Sequence, residues 1–368
     1  MSSYNLFNGY PGSKAPFAAK ISALFNKDAT TYVEPFVGGG GMFFSIPNGR
    51  FEKEIINDKN FGVALLYKCL ADDTRRDAVL KALLNIERSP DKEIGREIWN
   101  KAKREYVYEG KDAKKEDSVK NCVNAFTVYS QSFNSAGTSY SHHKTPDKYK
   151  KETKRNLLKV AESLKIRKNL TVRSEDVLDV IADYADDPKV QLMLDPPYVG
   201  LYSSSRDNYL VKMVRLNEHI EMLLWLEDCK ASVVLCGYRP PIEGIPCIYD
   251  VFLSGKEWHC FKVKDTVKKS QVVKPGTKKQ LAFEYVWTNH VPEKAGYYVD
   301  LHDYKEDITM DEYWERILDA YENGLITPKD MLEYYHTYTW YYLDNRTLVN
   351  DEEFGEILKA SKKSNKKK

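Results

Sequence analysis

Short apolar runs, each stopped by turn-forming residues, alternate with stretches of helical spacing along most of the chain. Near the N-terminus, the runs Thr31–Val33 and Ile55–Ile56 predict two buried strands, and the second ends at Asn57-Asp58. The run Val190–Leu194 predicts another strand, which stops at Asp195. Three further strands are predicted at Leu170–Val172, Ser232–Cys236 and Leu281–Val286. The sheet is therefore expected to draw its strands from both ends of a long intervening block.

That block has a different pattern. Leu65, Leu66 and Leu70 fall at helical spacing, and the same spacing continues beyond them. Asn121–Gly137 mixes aromatic residues with Asn, Ser and Gly, which is typical of a hairpin or a binding loop. We therefore expect an α/β domain formed by residues 1–60 and 161–290 and interrupted by a mainly helical module at 61–160.

Residues 291–368 form the last predicted unit, a helical extension with helical spacing over 308–345. It ends in the basic stretch Lys362–Lys368, which we expect to be disordered. The extension could pack against the catalytic domain, form a dimer contact or touch DNA. The sequence leaves the oligomeric state, monomer or dimer, undetermined.

Charge is informative through its distribution, because the formal net charge is only +2. The segment His142–Arg173 holds eleven Lys and Arg against three acids, and Lys262–Lys279 holds seven Lys against one Asp. Two separate basic stretches fit contact with phosphates. A solvated helix face is the other interpretation of each stretch.

The six cysteines show neither a CxxC pair nor a His partner at zinc spacing, so no metal is expected. They are typical of reduced thiols in an intracellular protein, which we expect in the cytoplasm. We expect no membrane segment, because the first residues lack a signal-peptide pattern and no apolar run approaches membrane length.

Four glycines, Gly38–Gly41, follow the first predicted strand, where backbone can approach a ligand closely. A dinucleotide-binding turn would need its last glycine at position 43, where the chain has Phe43. The acid Glu34 precedes the turn, and Asp58 ends the next strand, where a carboxylate can accept both ribose hydroxyls. A cationic sulfonium ligand suits these acids better than a pyrophosphate does. A plain tight turn, with Asp58 as a turn residue, is the alternative.

The most specific motif is Asp195-Pro196-Pro197-Tyr198, at the end of a predicted strand. The prolines fix the backbone and remove N–H donors, which leaves the Asp195 carboxylate and the Pro196 carbonyl as a rigid pair of acceptors. Such a pair can bind both hydrogens of an NH₂ group and localise the nitrogen lone pair. Tyr198 offers a stacking face, worth roughly 1–3 kcal/mol per base. A strand-ending turn with a surface Tyr is the alternative. The chemistry needs no covalent intermediate, so Cys247 is interpreted as structural.

These motifs resemble those of the Dam-like, alpha-type DNA adenine N6-methyltransferases. Tyr10–Lys14 is similar to the family's first motif, with Ser13 where a second Gly is usual, and Tyr32–Gly40 is similar to its cofactor motif. Asp195–Tyr198 matches its catalytic motif at all four positions, and Glu284–Asn289 is similar to its closing strand. The resemblance covers residues 4–290 and implies a Rossmann-like sheet with an inserted target-recognition domain.

The resemblance also implies S-adenosyl-L-methionine as cofactor and a flipped-out adenine of double-stranded DNA as substrate. Asp195, Pro196, Pro197 and Tyr198 would be catalytic. The predicted cofactor-binding residues are Tyr10, Lys14, Glu34, Phe36, Gly38, Gly40, Asp58, Asp176 and Asp195. The predicted DNA-binding residues are the base readers Gln131 and Asn134 and the phosphate contacts Lys144, Lys150, Lys154 and Arg155.

Three alternatives stay open. Cytosine N4 methylation usually prefers Ser at position 195, and methylation of RNA or of a protein amide more often has Asn there. A DNA-binding module with a dead active site is the third, against which the intact Asp58 and Asp195 argue. The recognised DNA sequence, and a restriction, phage or housekeeping role, are left open, because Tyr129–Asn134 departs from the family's usual Asn-Arg-rich recognition pattern.

Overall fold

The strands form one seven-stranded sheet in the order β3-β2-β1-β4-β5-β7-β6, as seen in a computed structural model. The structure describes residues 4–109, 118–202, 210, 211, 213, 215–267, 281–341 and 351–365. The strands are β1 (Thr31–Glu34), β2 (Lys53–Asn57), β3 (Leu170–Arg173), β4 (Val190–Leu194), β5 (Ser232–Gly237), β6 (His259–Val267) and β7 (Leu281–Thr288). All neighbouring pairs are parallel except those of β7, which runs antiparallel to both β5 and β6.

Helices cover both faces of this sheet. On the chain they are α1 (Ala18–Ser22), α2 (Phe61–Ala71), α3 (Arg76–Leu84), α4 (Lys92–Glu105), α5 (Val119–Ser130), α6 (Pro146–Ile166), α7 (Val177–Tyr184), α8 (Leu216–Leu226), α9 (Ile248–Phe252), α10 (Met310–Glu322), α11 (Pro328–Tyr341) and α12 (Asp351–Asn365). The predicted fold class, a Rossmann-like methyltransferase sheet in an α/β protein, is confirmed.

Alternate residues of each strand enter two hydrophobic cores, since successive side chains point to opposite faces. Tyr32 and Met193 pack on the face that α2, α3, α5 and α6 cover. Val33 and Leu192 pack on the other face, under α7–α11. The C-terminal helices α10 and α11 thus pack on the sheet, which is one of the three roles expected for them. The predicted boundary at residue 160 falls inside α6, and the division into domains stays a prediction.

The expected hairpin at Asn121–Gly137 is wrong, because most of that segment is the helix α5. Cys122, Ala125, Phe126 and Tyr129 repeat at helical spacing and are buried, and Ser118 caps the helix by accepting from the Asn121 N–H. The spacing was visible in the sequence, but the polar residues between these positions suggested a loop.

Two other expectations need correction. The basic stretch Lys262–Lys279 begins as part of β6, in which buried Phe261 and Val263 alternate with Lys262, and its residues 268–279 lie outside those described. The predicted disorder of Lys362–Lys368 is wrong for its first part, since α12 continues to Asn365. Residues 366–368 lie outside the described residues. Among the helices described, none has the length and apolar character that crossing a membrane requires.

The parallel part of the sheet reverses its winding between β1 and β4. The chain passes from β1 outward to β2 and β3, and then returns to place β4 on the other side of β1. Glu34 ends β1, and Asp195 directly follows β4, so both carboxylates lie at the carboxyl ends of adjacent strands. Such switch points are where open α/β sheets bind their ligands.

Candidate active site

A cavity of about 210 Å³ opens at this switch point. The N-terminal segment 10–14, the glycine turn, the residues that follow β2, the start of α7, and Asp195 and Pro197 of the predicted catalytic motif all line it. The predicted site residues in its wall are Tyr10, Lys14, Glu34, Phe36, Gly38, Asp58, Asp176, Asp195 and Pro197. Chain segments that are far apart in sequence therefore meet around one space.

The glycine turn is shaped by close approach of the N-terminal segment. Gly38 has φ of +48°, and a Cβ there would lie 2.7 Å from Cε1 of Tyr10. A Cβ on Gly39 would lie 2.9 Å from Cβ of the same tyrosine. Gly40 has φ of +76° and does not line the cavity. A Cβ on Gly40 would lie 2.5 Å from the hydroxyl oxygen of Tyr67. The glycines thus make room for neighbouring aromatic rings. From the sequence, we expected them only to let a ligand approach the backbone closely.

Asp58 fastens the turn to the end of β2. Its carboxylate accepts the N–H of Gly38 at 3.0 Å and the N–H of Asn60 at 2.8 Å. Burial raises the pKa of Asp58 to about 6, and the two backbone hydrogen bonds oppose the shift. Each oxygen accepts one backbone N–H and has a further lone pair for a ligand hydroxyl.

Glu34 contributes a second buried carboxyl group to the cavity. Only 2% of the residue is exposed, and its carboxylate accepts the hydroxyl hydrogen of Tyr32 at 2.7 Å. Burial raises the pKa of Glu34 to about 8; the Tyr32 hydrogen bond opposes this shift, and the charge of Asp195 adds to it. Glu34 is therefore mostly protonated at neutral pH.

The cavity wall is strongly acidic. Among the residues that the structure describes, six carboxyl groups line it against two lysines; the acids are Glu34, Asp58, Asp176, Asp195, Glu218 and Glu221. One lysine, Lys59, forms an ion pair of 2.6 Å with Asp176 at the rim. Asp176 also caps α7 by accepting the N–H of Leu178 at 3.1 Å. This balance of charge favours a ligand that carries positive charge.

The second lysine, Lys14, lies beside the catalytic motif. Its ammonium group lies 2.7 Å from Oδ1 of Asp195, 3.4 Å from Oε1 of Glu284 and 2.7 Å from the carbonyl of Gly12. Burial alone would lower the pKa of Lys14, but the charges of Asp195 and Glu284 raise it well above its usual value. Burial raises the pKa of Asp195 and the charge of Lys14 opposes that shift, so the lysine favours the ionised carboxylate.

The rest of the catalytic motif is held from behind. Pro196 is buried, and the Tyr198 hydroxyl donates to Glu284 while its ring packs edge-on against Tyr238 at 4.4 Å. The carbonyl of Pro197 lies 3.1 Å from Nε2 of His219. Carbonyls only accept, so this nitrogen carries the proton.

The fully buried His219 ties the motif to its surroundings. Nε2 also lies 3.0 Å from the carbonyl of Met213, and Nδ1 accepts from the Tyr249 hydroxyl at 2.7 Å. Burial lowers the pKa of His219 to about 4, and the two carbonyl hydrogen bonds oppose that shift. The imidazole is therefore neutral near pH 7.

The predicted base readers differ in their placement. Gln131 is 1% exposed, and its Nε2 donates to the carbonyl of Glu87 at 3.0 Å, so its side chain is buried rather than presented at the surface. Asn134 is exposed and has φ of +51° in a short 3-10 turn. Next to Asn134, Phe133 is 47% exposed, which leaves an aromatic and an amide side chain together at the surface.

The predicted phosphate contacts lie on α6 or just before it. Lys150, Lys154 and Arg155 are exposed, whereas Lys144 is mostly covered and pairs with Glu152 at 2.8 Å.

The two most buried polar groups behind the motif, Glu284 and His219, were not predicted. Glu284 could have been found, because it is a single charged residue between apolar residues of a predicted strand. No comparable feature of the sequence marks His219.

Fold and site define a class of protein before any comparison: an α/β protein with an acidic cavity that suits a cationic ligand, beside a pair of acceptors that suits an amino group. The family model for D12 class N6 adenine-specific DNA methyltransferases matches residues 10–232, and the chain belongs to that family. It is also similar to the Type II methyltransferase M.MjaIII of Methanocaldococcus jannaschii, 24% identical over 294 residues that cover 74% of this chain and 94% of the relative. The predicted enzyme class is confirmed: the protein methylates N6 of adenine in DNA.

Proposed function

We propose that the methyl donor is S-adenosyl-L-methionine and that it binds in the cavity between β1 and β4. The excess of carboxyl groups among the described residues of the wall carries this proposal, because the ligand has a sulfonium and an ammonium group. In this assignment Asp58 accepts the ribose hydroxyls and Glu34 faces positive charge. Asp176 lies at the adenine end of the cofactor, and Tyr10, Lys14, Phe36, Gly38 and Gly40 shape or support the pocket.

The same chain supplies the acceptor chemistry. Bound S-adenosylmethionine would supply an electrophilic methyl group, whose bond to sulfur would break to leave neutral S-adenosylhomocysteine. The Asp195 carboxylate and the Pro196 carbonyl accept the two N6 hydrogens of the target adenine, which localises the nitrogen lone pair for attack. When the new N–C bond forms, N6 must lose one hydrogen as a proton, and the Asp195 carboxylate is its acceptor. The charge of Lys14 favours the ionised form of that carboxylate.

The adenine must leave the base stack to reach Asp195, so we assign the substrate as duplex DNA with a flipped-out base. Tyr198 offers its ring to that base. Its hydroxyl bond to Glu284 and the edge contact with Tyr238 limit rotation of the ring, which supports this role. Stacking on an aromatic ring is worth roughly 1–3 kcal/mol per base.

For the DNA path, we propose phosphate contacts at Lys150, Lys154 and Arg155, which are exposed on the polar side of α6. Asn134 is the proposed base reader, since an exposed amide can pair with an adenine edge. Gln131 and Lys144 have no such exposure and are better assigned to support of this surface. The similarity to a Type II methyltransferase favours a place in a restriction-modification pair.

The donor and the catalytic role are tested together by incubating the protein with methyl-labelled S-adenosylmethionine and duplex DNA, followed by nucleoside analysis. We expect label in N6-methyladenine with the wild type. Asp195→Ala should abolish transfer and leave cofactor affinity within about threefold, because other residues hold the ligand. Asp228→Ala, at an exposed site beside Lys256, is the matched control and should behave as wild type. No label in DNA, or a transfer-competent Asp195→Ala protein, would overturn the proposal.

A further inference from the structure

Glu284 is a buried carboxylate that no part of the proposed mechanism uses. It lies on β7, the strand that runs antiparallel within the sheet, and only 4% of the residue is exposed. Burying a carboxylate is costly unless it is paired and hydrogen-bonded. Its partners explain why the site retains it: both belong to the residues that surround Asp195.

One oxygen of Glu284 serves two neighbours. Oε1 accepts the Tyr198 hydroxyl hydrogen and lies 3.4 Å from the Lys14 ammonium. The side-chain atoms of Asp195, Cys236 and Glu284 that could act as metal ligands lie within 4.8 Å of one another, a grouping that could attract a cation. The Lys14 ammonium already lies between the two carboxylates, so it supplies that positive charge.

The ammonium group has three hydrogens to donate, and it has three acceptors. These are the carboxylates of Asp195 and Glu284 and the carbonyl of Gly12. An ammonium with one acceptor can rotate and swing on its flexible stem, whereas one with three is fixed in position. Loss of the Glu284 acceptor would free Lys14 on one side and Tyr198 on the other.

We propose that Glu284 is a positioning residue of the methyl-transfer site, which acts through Lys14 on the Asp195 carboxylate and through Tyr198 on the ring that receives the base. This inference rests on the proposed function. The two carboxylates share one lysine, so the negative charge of each acts against ionisation of the other. Glu284 therefore sets both the geometry of the acceptor pair and the pH at which Asp195 becomes competent.

Two substitutions separate charge from hydrogen bonding. Glu284→Gln keeps an oxygen for Tyr198 and Lys14 but removes the negative charge, so the positive charge of Lys14 is no longer divided between two carboxylates. We expect the acidic limb of the single-turnover rate against pH to move to lower pH by at least about half a unit. Glu284→Ala removes the acceptor as well, and the rate at the pH plateau should fall at least about tenfold. Tyr198→Phe, which keeps the ring, should lose less than Glu284→Ala.

The controls distinguish positioning from a general loss of structure. Glu54→Gln removes the charge of another buried strand carboxylate, which pairs with Arg167 away from the cavity. It should lower the thermal midpoint without moving the acidic limb. S-adenosylmethionine affinity of the Glu284 variants should stay within about threefold of wild type.

Unchanged pH profiles and rates in both Glu284 variants would overturn the inference. So would a rate loss in Glu284→Ala that is matched by loss of cofactor binding and thermal stability. A wild-type protein that transfers no methyl group from S-adenosylmethionine would instead count against the proposed function, so the two failures are distinguishable.

Discussion

Glu34 should couple cofactor binding to proton release. With a pKa of about 8, its carboxyl group is roughly nine-tenths protonated at pH 7 in the ligand-free protein. A unit positive charge placed about 5 Å away at an effective dielectric constant of about 20 interacts by roughly 3 kcal/mol. That energy equals about two pKa units, so the pKa of Glu34 in the complex should fall to about 6.

The direction in which affinity changes with pH follows from which state, the free protein or the complex, holds the proton on Glu34. Between about pH 6 and pH 8 the free protein is protonated at Glu34 and the complex is ionised, so binding releases about 0.8 proton at pH 7. Affinity should therefore rise with pH, by up to about tenfold per unit, and level off above pH 8. Asp58, with its pKa near 6, is already mostly ionised at pH 7 and adds little.

Isothermal titration calorimetry at pH 7 in phosphate and in Tris measures the released proton, because the two buffers differ in ionisation enthalpy. S-adenosylhomocysteine is the matched ligand, since it has the same amino-acid group and lacks the methyl group and the sulfonium charge. It should release fewer protons. Glu34→Gln should bind S-adenosylmethionine with a weaker dependence on pH. Equal heats in both buffers, and a flat affinity from pH 6 to pH 9, would refute the reasoning.

Three other outcomes follow from charges and burial. Lys14→Met should stop methyl transfer and lower the free energy of unfolding at pH 8 by about 3–5 kcal/mol, because it leaves two buried carboxylates without a cation. In urea titrations this loss of stability should become smaller towards pH 5, because the two carboxylates become protonated. A loss of stability that does not depend on pH would contradict this. Relative to His219→Gln, the free energy of unfolding of the wild type should fall by about 3 kcal/mol as the pH drops from about 6.5 to about 4, because His219 is held neutral in the fold; a difference that stays constant with pH would contradict this. A double substitution of Lys154 and Arg155 to Ala should weaken DNA binding and reduce the slope of log affinity against log salt by about 1.8, with cofactor affinity unchanged; an unaltered slope would place the phosphates elsewhere.

The strands were predictable because each buried parallel strand is a short apolar run with a clear stop. Val190–Leu194 followed by Asp195 is an example, and its bounds are those of β4. β6 was missed because its buried residues alternate with Lys262 in a stretch dominated by charge. α5 was mistaken for a hairpin because Asn121 and Asn124, which are buried, looked like loop residues.

The site residues divide in the same way, into those that a local sequence motif marks and those that depend on contacts between distant segments. Asp195 and Asp58 were predictable since each ends a strand and carries a recognisable motif. The pairing of Lys14 with Asp195 was not, because it depends on how the N-terminal segment packs across the glycine turn. Glu284 and His219 act through neighbours that are distant in sequence, and no periodicity marks such contacts.

The sheet order has a consequence for how the protein becomes active during synthesis. β1 pairs with β4, so the wall of the cavity is incomplete until residue 195 has left the ribosome. The strand β7, which contributes Glu284, follows nearly ninety residues later. Pairing of strands so far apart in sequence is slow, since long loops must close first. A nascent chain thus passes through most of its length unable to act on DNA, and methylation begins only with a nearly finished enzyme.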